Sequence, residues 1–208
     1  RGLVGSEMCI RDSLLSLGEF YSLACAVAWA VAIVLFRKAG QHLPAQHLNL
    51  LKNSVMLVCL VPTMLLFDSD FSLPSSALGI SLISGFLGIA IGDGLYLAAI
   101  QRLGASRAGL AGMMYTPWVI LLSAVFLQET LGMAQWGGMS LVLLGLAGVG
   151  LAQRSGQNQD TEPFSWSGLG LAALAMALMA SGVVMVKPVL EAQDLLSVVF
   201  FRAVAGTL

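Results

Sequence analysis

The sequence predicts an all-α integral membrane protein, a bundle of six complete transmembrane helices plus a truncated seventh. Three observations carry that prediction. Hydrophobic residues make up 58% of the 208 residues and charged residues only 10%, whereas a soluble domain carries about 25% charged residues. Mean hydropathy is +0.88. The apolar residues also fall in runs of about 20, the length that crosses a bilayer as a helix. None of these runs alternates with period 2 as a barrel strand does. A net charge of −1 argues against a nucleic-acid partner, and the lipid bilayer is the partner that the composition demands.

Charged residues punctuate the runs. Residues 1–13, RGLVGSEMCIRDS, lack both an initiator Met and a long apolar stretch, so they do not read as a signal peptide. They look like translated adapter sequence, an artefactual or non-native leader. The first predicted span covers residues 20–36 and ends at Arg37 and Lys38. The second covers 47–67, with Lys52 near its start, and stops at the DSD of 68–70. The third covers 77–100 and contains Asp93. The fourth covers 107–128 and closes at Glu129. The fifth covers 133–153, and the polar run RSGQNQDTEPFS follows it. The sixth covers 166–186. A seventh opens near Leu195, and the chain stops inside that apolar run, as expected of a fragment.

Small residues recur at helical spacing. Gly85, Gly88 and Gly92 line the third span, Ala108 and Gly112 repeat the spacing in the fourth, and Gly138 and Gly145 lie two turns apart in the fifth. Such residues let helix backbones approach closely in lipid. A shift of 150 positions superposes Gly18 on Gly168, Arg37 on Lys187 and Lys52 on Arg202. The first span then matches the sixth, and the second matches the seventh. A unit of five helices is odd, so a second copy enters the membrane from the opposite side, as in the inverted repeats of secondary transporters. Arg37, Lys38, Arg102, Arg107 and Arg154 gather on one side of the membrane in this scheme, which the positive-inside rule assigns to the cytoplasm.

The candidate chemistry centres on Asp93. It lies eight residues before Gln101, about 12 Å from that helix end at 1.5 Å per residue, too deep for a short side chain to reach water. A carboxylate in hydrocarbon costs about 2.5–3.5 kcal/mol on insertion scales. Two readings stand side by side: Asp93 faces a wet cavity and binds substrate or a proton, or it pairs structurally with a base such as Lys52. Lys52 in turn either snorkels to the nearest interface or joins a pairing or anion-binding patch. Asn49 and Asn53 flank it at i−3 and i+1, and Asn49 by that spacing shares its helix face. Pro117 breaks the hydrogen-bond ladder of the fourth span, and Tyr115, Trp118 and Tyr96 lie close to mid-depth, as cavity lining or as packing. Trp136 and Trp166 suit interfacial anchors, and Glu129 suits a structural acid at a short turn. His42 and His47 have no acid or Cys cluster beside them, so no metal site is expected. Cys9, Cys25 and Cys59 are too scattered for a disulfide framework. No phosphate-binding loop, nucleophile elbow or metalloprotease motif occurs. No cofactor is expected either.

The run LGASRAGLAGMMYTPWVILLSAVFLQETLGMAQWGGMSLVLLGLAGVGLAQR, residues 103–154, resembles the EamA family of the drug/metabolite transporter superfamily. The likeness rests on the small-residue turn at Gly104 and Ala105, Pro117 within the fourth helix, Glu129 at its end, and Gly138 with Gly145 in the fifth. Residues 18–40, with Trp29 and a basic end, look like the family's first helix, and the resemblance extends from Gly18 to Leu208. It implies ten helices in two inverted five-helix repeats. Residues 14–153 would form the first repeat, 154–166 a polar linker, and 167–208 the start of the second. The resemblance further implies a multi-pass protein of the bacterial inner membrane that exports or exchanges small metabolites, amino acids or drugs by alternating access, often driven by an ion gradient. Its expected substrate site comprises Asp93, Tyr96, Tyr115, Pro117, Trp118 and Lys52, and a homodimer is compatible with it. Family members commonly begin in the cytoplasm, whereas the charge count above puts the start of the first helix outside. Two other classes remain open on the residues alone. One is a membrane-embedded enzyme acting on lipid-linked substrates; the other is a non-transporting scaffold subunit.

Overall fold

A computed structural model describes residues 17–69, 71–128, 132–155 and 165–207. The leader, Glu129 and most of the polar linker lie outside the described residues. Among the described residues every regular element is a helix. The helices are α1 (Leu17–Ala39), α2 (Ala45–Leu66), α3 (Ser75–Leu103), α4 (Ala105–Phe126), α5 (Met133–Ser155), α6 (Trp166–Ala192) and α7 (Leu195–Gly206). Five of them, α1, α2, α3, α4 and α6, are long and apolar enough to cross a membrane. The described apolar part of α5, Met133–Gly148, is shorter than that, and α7 has 12 residues.

Local chemistry sets the helix boundaries. Pro44 and Pro74 immediately precede α2 and α3, where a fixed φ and a missing N–H are harmless. Ser165 caps α6, accepting a hydrogen bond from the Gly168 N–H at 3.2 Å. Asp194 caps α7, accepting from the Ser197 N–H at 3.1 Å and the Ser197 hydroxyl at 2.9 Å. The Ser197 backbone N–H, more than any other partner, holds the Asp194 carboxyl below the usual carboxylate range. Gly104, at φ 81°, makes the sharp turn between α3 and α4 that a side chain would strain. The sixth helix continues past its predicted end at 186. It carries Lys187 and Pro188 inside it, because Val186, Val189 and Leu190 bury against Ala77 and Val198 and keep the final turns in place.

α3 is the axis of the bundle. It packs against α1, α2, α4, α6 and α7, whereas α5 touches only the second half of α4 among the principal helix contacts. Small residues make this possible. Gly85, Gly88 and Gly92 of α3 face Met179 and Gly182 of α6 and the backbone at Arg202 of α7. Ala172, Ala175 and Ala180 of α6 are fully buried. Without water between them, helices in lipid associate through such close packing. Gly138 and Gly145, by contrast, meet nothing within 4 Å, so the expected close approach along α5 does not occur against the described residues. Most of the outer surface is apolar, as a lipid-facing surface is: Val58, Leu66, Val125 and Leu141 are all largely exposed.

Candidate functional site

In α3 the backbone itself is irregular. Ser75–Gly85 is α-helical, Phe86–Gly92 is a π-helical stretch of 7 residues, and Asp93–Leu103 resumes the α-helix. A π-turn widens the helix and misaligns the carbonyls it passes, a feature often found at functional sites. Asn49 of α2 answers that misalignment. Its side-chain amide donates to the Ile89 carbonyl at 3.1 Å and to the Ala90 carbonyl at 3.0 Å. Four residues along the same face of α2, Asn53 donates to the Gly206 carbonyl at the end of α7, at 2.6 Å. One stripe of α2 therefore satisfies the backbone of two other helices.

Lys52 lies on that stripe and reaches Asp93, the first residue after the π-turn. The two form a hydrogen-bonded ion pair whose side chains are 25% and 17% exposed. Of the two readings of Asp93, the pairing with Lys52 is the one this geometry displays. Arg202 of α7, the residue that the 150-residue shift places on Lys52, lies within electrostatic reach of Asp93 and of Tyr115. Its guanidinium lies beside Gly88, where an added Cβ would stand 3.7 Å from the nearest Nη.

The six predicted residues divide into three groups. Lys52 and Asp93 are in contact, and Tyr115 shares the field of Asp93 and Arg202. Pro117 is buried, and α4 breaks one turn before it, between Ala105–Gly112 and Tyr115–Phe126. Pro117 cannot donate to Met113, and its ring crowds that carbonyl, so the ladder gives way at Met113 and Met114. There the N–H groups bond three residues back, Met113 to Leu110 and Met114 to Ala111. Trp118 and Tyr115 are half-buried against the core. Tyr96 is set apart from the charges. It is buried, its hydroxyl donates to the Ala108 carbonyl at 3.0 Å, and its ring stacks on Trp29 with centroids 6.3 Å apart and planes 7° apart. This bolts α1, α3 and α4 together.

A groove of about 390 Å³ opens between α2, α3 and α7. Asn49, Ala90, Gly94, Gly206 and Thr207 contribute to its wall. None of the six predicted residues lines it, although Asn49 and Gly94 are close chain neighbours of Lys52 and Asp93. Among the described residues no cluster of His, Cys, Asp or Glu is arranged to hold a metal. Cys25 and Cys59 are unpaired and exposed on the outer, apolar surface.

Sequence reasoning assigned Arg202 and Asn49 only to the surroundings of Lys52. The signals that mark them are the 150-residue shift for Arg202 and the i−3 spacing for Asn49. The π-turn has no comparable signal, since the same glycines suit an ordinary helix.

Comparison with known proteins adds the family. The model of the EamA-like transporter family matches residues 16–151, which include α1 to α4, most of α5, Lys52 and Asp93. No curated protein and no solved structure matches the chain. With that match over most of its length, and with five helices fit to span a bilayer, the chain is a multi-pass membrane protein that belongs to the EamA-like transporter family of the drug/metabolite transporter superfamily.

Proposed function

We propose that this protein moves small metabolites across the bacterial inner membrane by alternating access, in export or exchange, with an ion gradient as the driving force. The observation that carries the reading is the Lys52–Asp93 pair beside the π-turn of α3. Charged groups inside a membrane bundle are costly and are kept where they serve a solute path. Irregular backbone at that depth is tolerated where it is buried in protein or lines a cavity. Lys52, Asp93 and Tyr115 would meet the substrate, with Pro117 and Trp118 shaping the wall and Tyr96 holding α3 against α4. The breaks in α3 and α4 are the flexible points at which the bundle would rock.

The proposal includes the ten-helix, 5+5 arrangement. α1 to α5 would form the first inverted repeat, and α6 with α7 the opening of the second. The convergence of Lys52 and Arg202, matched by the repeat, on one carboxylate supports it. An axis in the membrane plane between the halves brings such equivalent positions together.

The test is Asp93→Asn in the whole transporter, reconstituted in vesicles. Substrate flux should fall at least tenfold with unchanged membrane insertion. Undiminished flux would remove Asp93 from the mechanism. The scaffold reading draws on one observation, that Asp93 already has a partner within the bundle. It predicts no flux in any vesicle experiment.

A further inference from the structure

The packing of α7 does not call on the Arg202 guanidinium. α7 packs on α3 through the backbone at Arg202 and through Gly206, contacts that ask nothing of a guanidinium. Yet the group is carried into the bundle, and its Nε is buried without a hydrogen-bond partner among the described residues. A buried donor left unpaired costs free energy, more so on a charged group. The neighbouring acid, Asp93, does not pair with this Nε, and its carboxylate is engaged by Lys52.

The charges give the sign of a ligand that would fit here. Among the described residues, Glu19, Asp68, Glu191 and Asp194 lie at helix ends or in turns, so Asp93 is the acid within the spans. It faces two cations, Lys52 and Arg202. With all three groups ionised the cluster carries one positive charge in excess, at a depth where a net charge is expensive. A single negative charge balances it, and a doubly charged phosphate overshoots. A guanidinium presents its donors as a planar fork that fits a carboxylate with two parallel bonds. Tyr115, in the field of both Arg202 and Asp93, adds a hydroxyl, and Trp118 lies within one turn of it.

We propose that Arg202, assisted by Lys52 and Tyr115, binds the carboxylate of a small monoanionic substrate. This deepens the transport reading and rests on it for the word substrate; the binding site itself does not. Asp93 is then the internal competitor for the same cations, occupying Lys52 when the site is empty and yielding part of it when a carboxylate arrives.

The test uses the whole transporter purified in detergent micelles, with benzoate, phenylacetate and acetate as probes and their amides as uncharged controls. Thermal protection is read against ligand concentration. At least one carboxylate should protect and its amide should not. Arg202→Gln should weaken that protection at least tenfold, and Arg202→Lys should retain part of it. Asp93→Asn should tighten it severalfold, because the competing carboxylate is gone. A residue that merely held the fold would not produce that opposite sign, and the tightening can be read even if Arg202→Gln proves poorly folded. Protection by none of the three carboxylates, protection indifferent to Arg202→Gln in monodisperse protein, or weakening in Asp93→Asn would each overturn the proposal. Flux in vesicles separates the two readings. Carboxylate binding without flux removes transport and leaves the anion site standing, whereas flux without Arg202-dependent binding removes the anion site alone.

Discussion

The side-chain amide of Asn49 donates to the Ile89 carbonyl, 3.1 Å away, inside the π-helical stretch of α3. A second bond from the same amide reaches Ala90. The widened turn would otherwise bury carbonyls in hydrocarbon without a donor, where each unmet group costs several kcal/mol. Asn49 thus acts on Asp93 at a distance, by keeping open the backbone irregularity that precedes it.

Asn49→Leu, nearly the same size and without an amide, should lower stability by about 1–3 kcal/mol. It should also draw the π-turn toward regular α-helix and rotate Asp93 away from Lys52. The check is the thermal midpoint in detergent, together with the loss of coupling between Lys52 and Asp93 in that background. An unchanged midpoint with the coupling intact would show that water, not Asn49, serves those carbonyls.

The Lys52–Asp93 pair should behave as a unit. Removing one member of a buried pair costs about 3–5 kcal/mol. These side chains are 25% and 17% exposed, so Lys52→Met should cost about 1–3 kcal/mol on the same argument. Lys52→Met combined with Asp93→Asn should recover more than half of the loss. A double-mutant cycle on melting temperature measures this, and strictly additive losses would contradict the pairing.

The α3–α6–α7 contact should reject even a methyl group. A Cβ at Gly182 would stand 2.7 Å from the Ser84 carbonyl oxygen and 3.3 Å from the Gly88 Cα. One at Gly85 would strike the backbone of Arg202. Gly182→Ala and Gly85→Ala should each destabilise by about 1–3 kcal/mol through overpacking. Gly145→Ala, with nothing within 4 Å, should be neutral or gain up to about 1 kcal/mol from helix propensity. Thermal melts of the three variants side by side decide the matter.

Tyr96 and Gly112 should be coupled. A Cβ at Gly112 would lie 2.9 Å from the Tyr96 hydroxyl oxygen. Gly112→Ala should therefore be harmful alone and much less so together with Tyr96→Phe, which by itself should cost about 1 kcal/mol for the lost bond to Ala108. Equal damage from Gly112→Ala in both backgrounds would mean that α4 moves instead of Tyr96.

Much of this protein was legible before any coordinates. Charges at residues such as Arg37, Lys38 and Arg102 bracket the spans, because hydrocarbon tolerates them only at its edges. The glycines of α3 announce close packing, and the lone acid at Asp93 announces an unusual site. The sixth helix shows where such reading stops. Lys187 and Pro188 look like an ending, and burial of Val186 and Val189 carries the helix beyond them.

The amino-acid sequence by itself determined that the chain is helical, that it lies in a membrane, and that a carboxylate at mid-depth needs an explanation. Those follow from local quantities: hydropathy, spacing and the cost of a charge in lipid. Tertiary structure alone decided that α3 is the axis, that Lys52 answers Asp93, that Asn49 serves the π-turn, and that Arg202 arrives with its Nε unpaired. Partners drawn from helices 40 to 150 residues apart in the chain meet only when the small faces of α3, α6 and α7 close on one another, and nothing in a residue's immediate neighbours encodes that meeting.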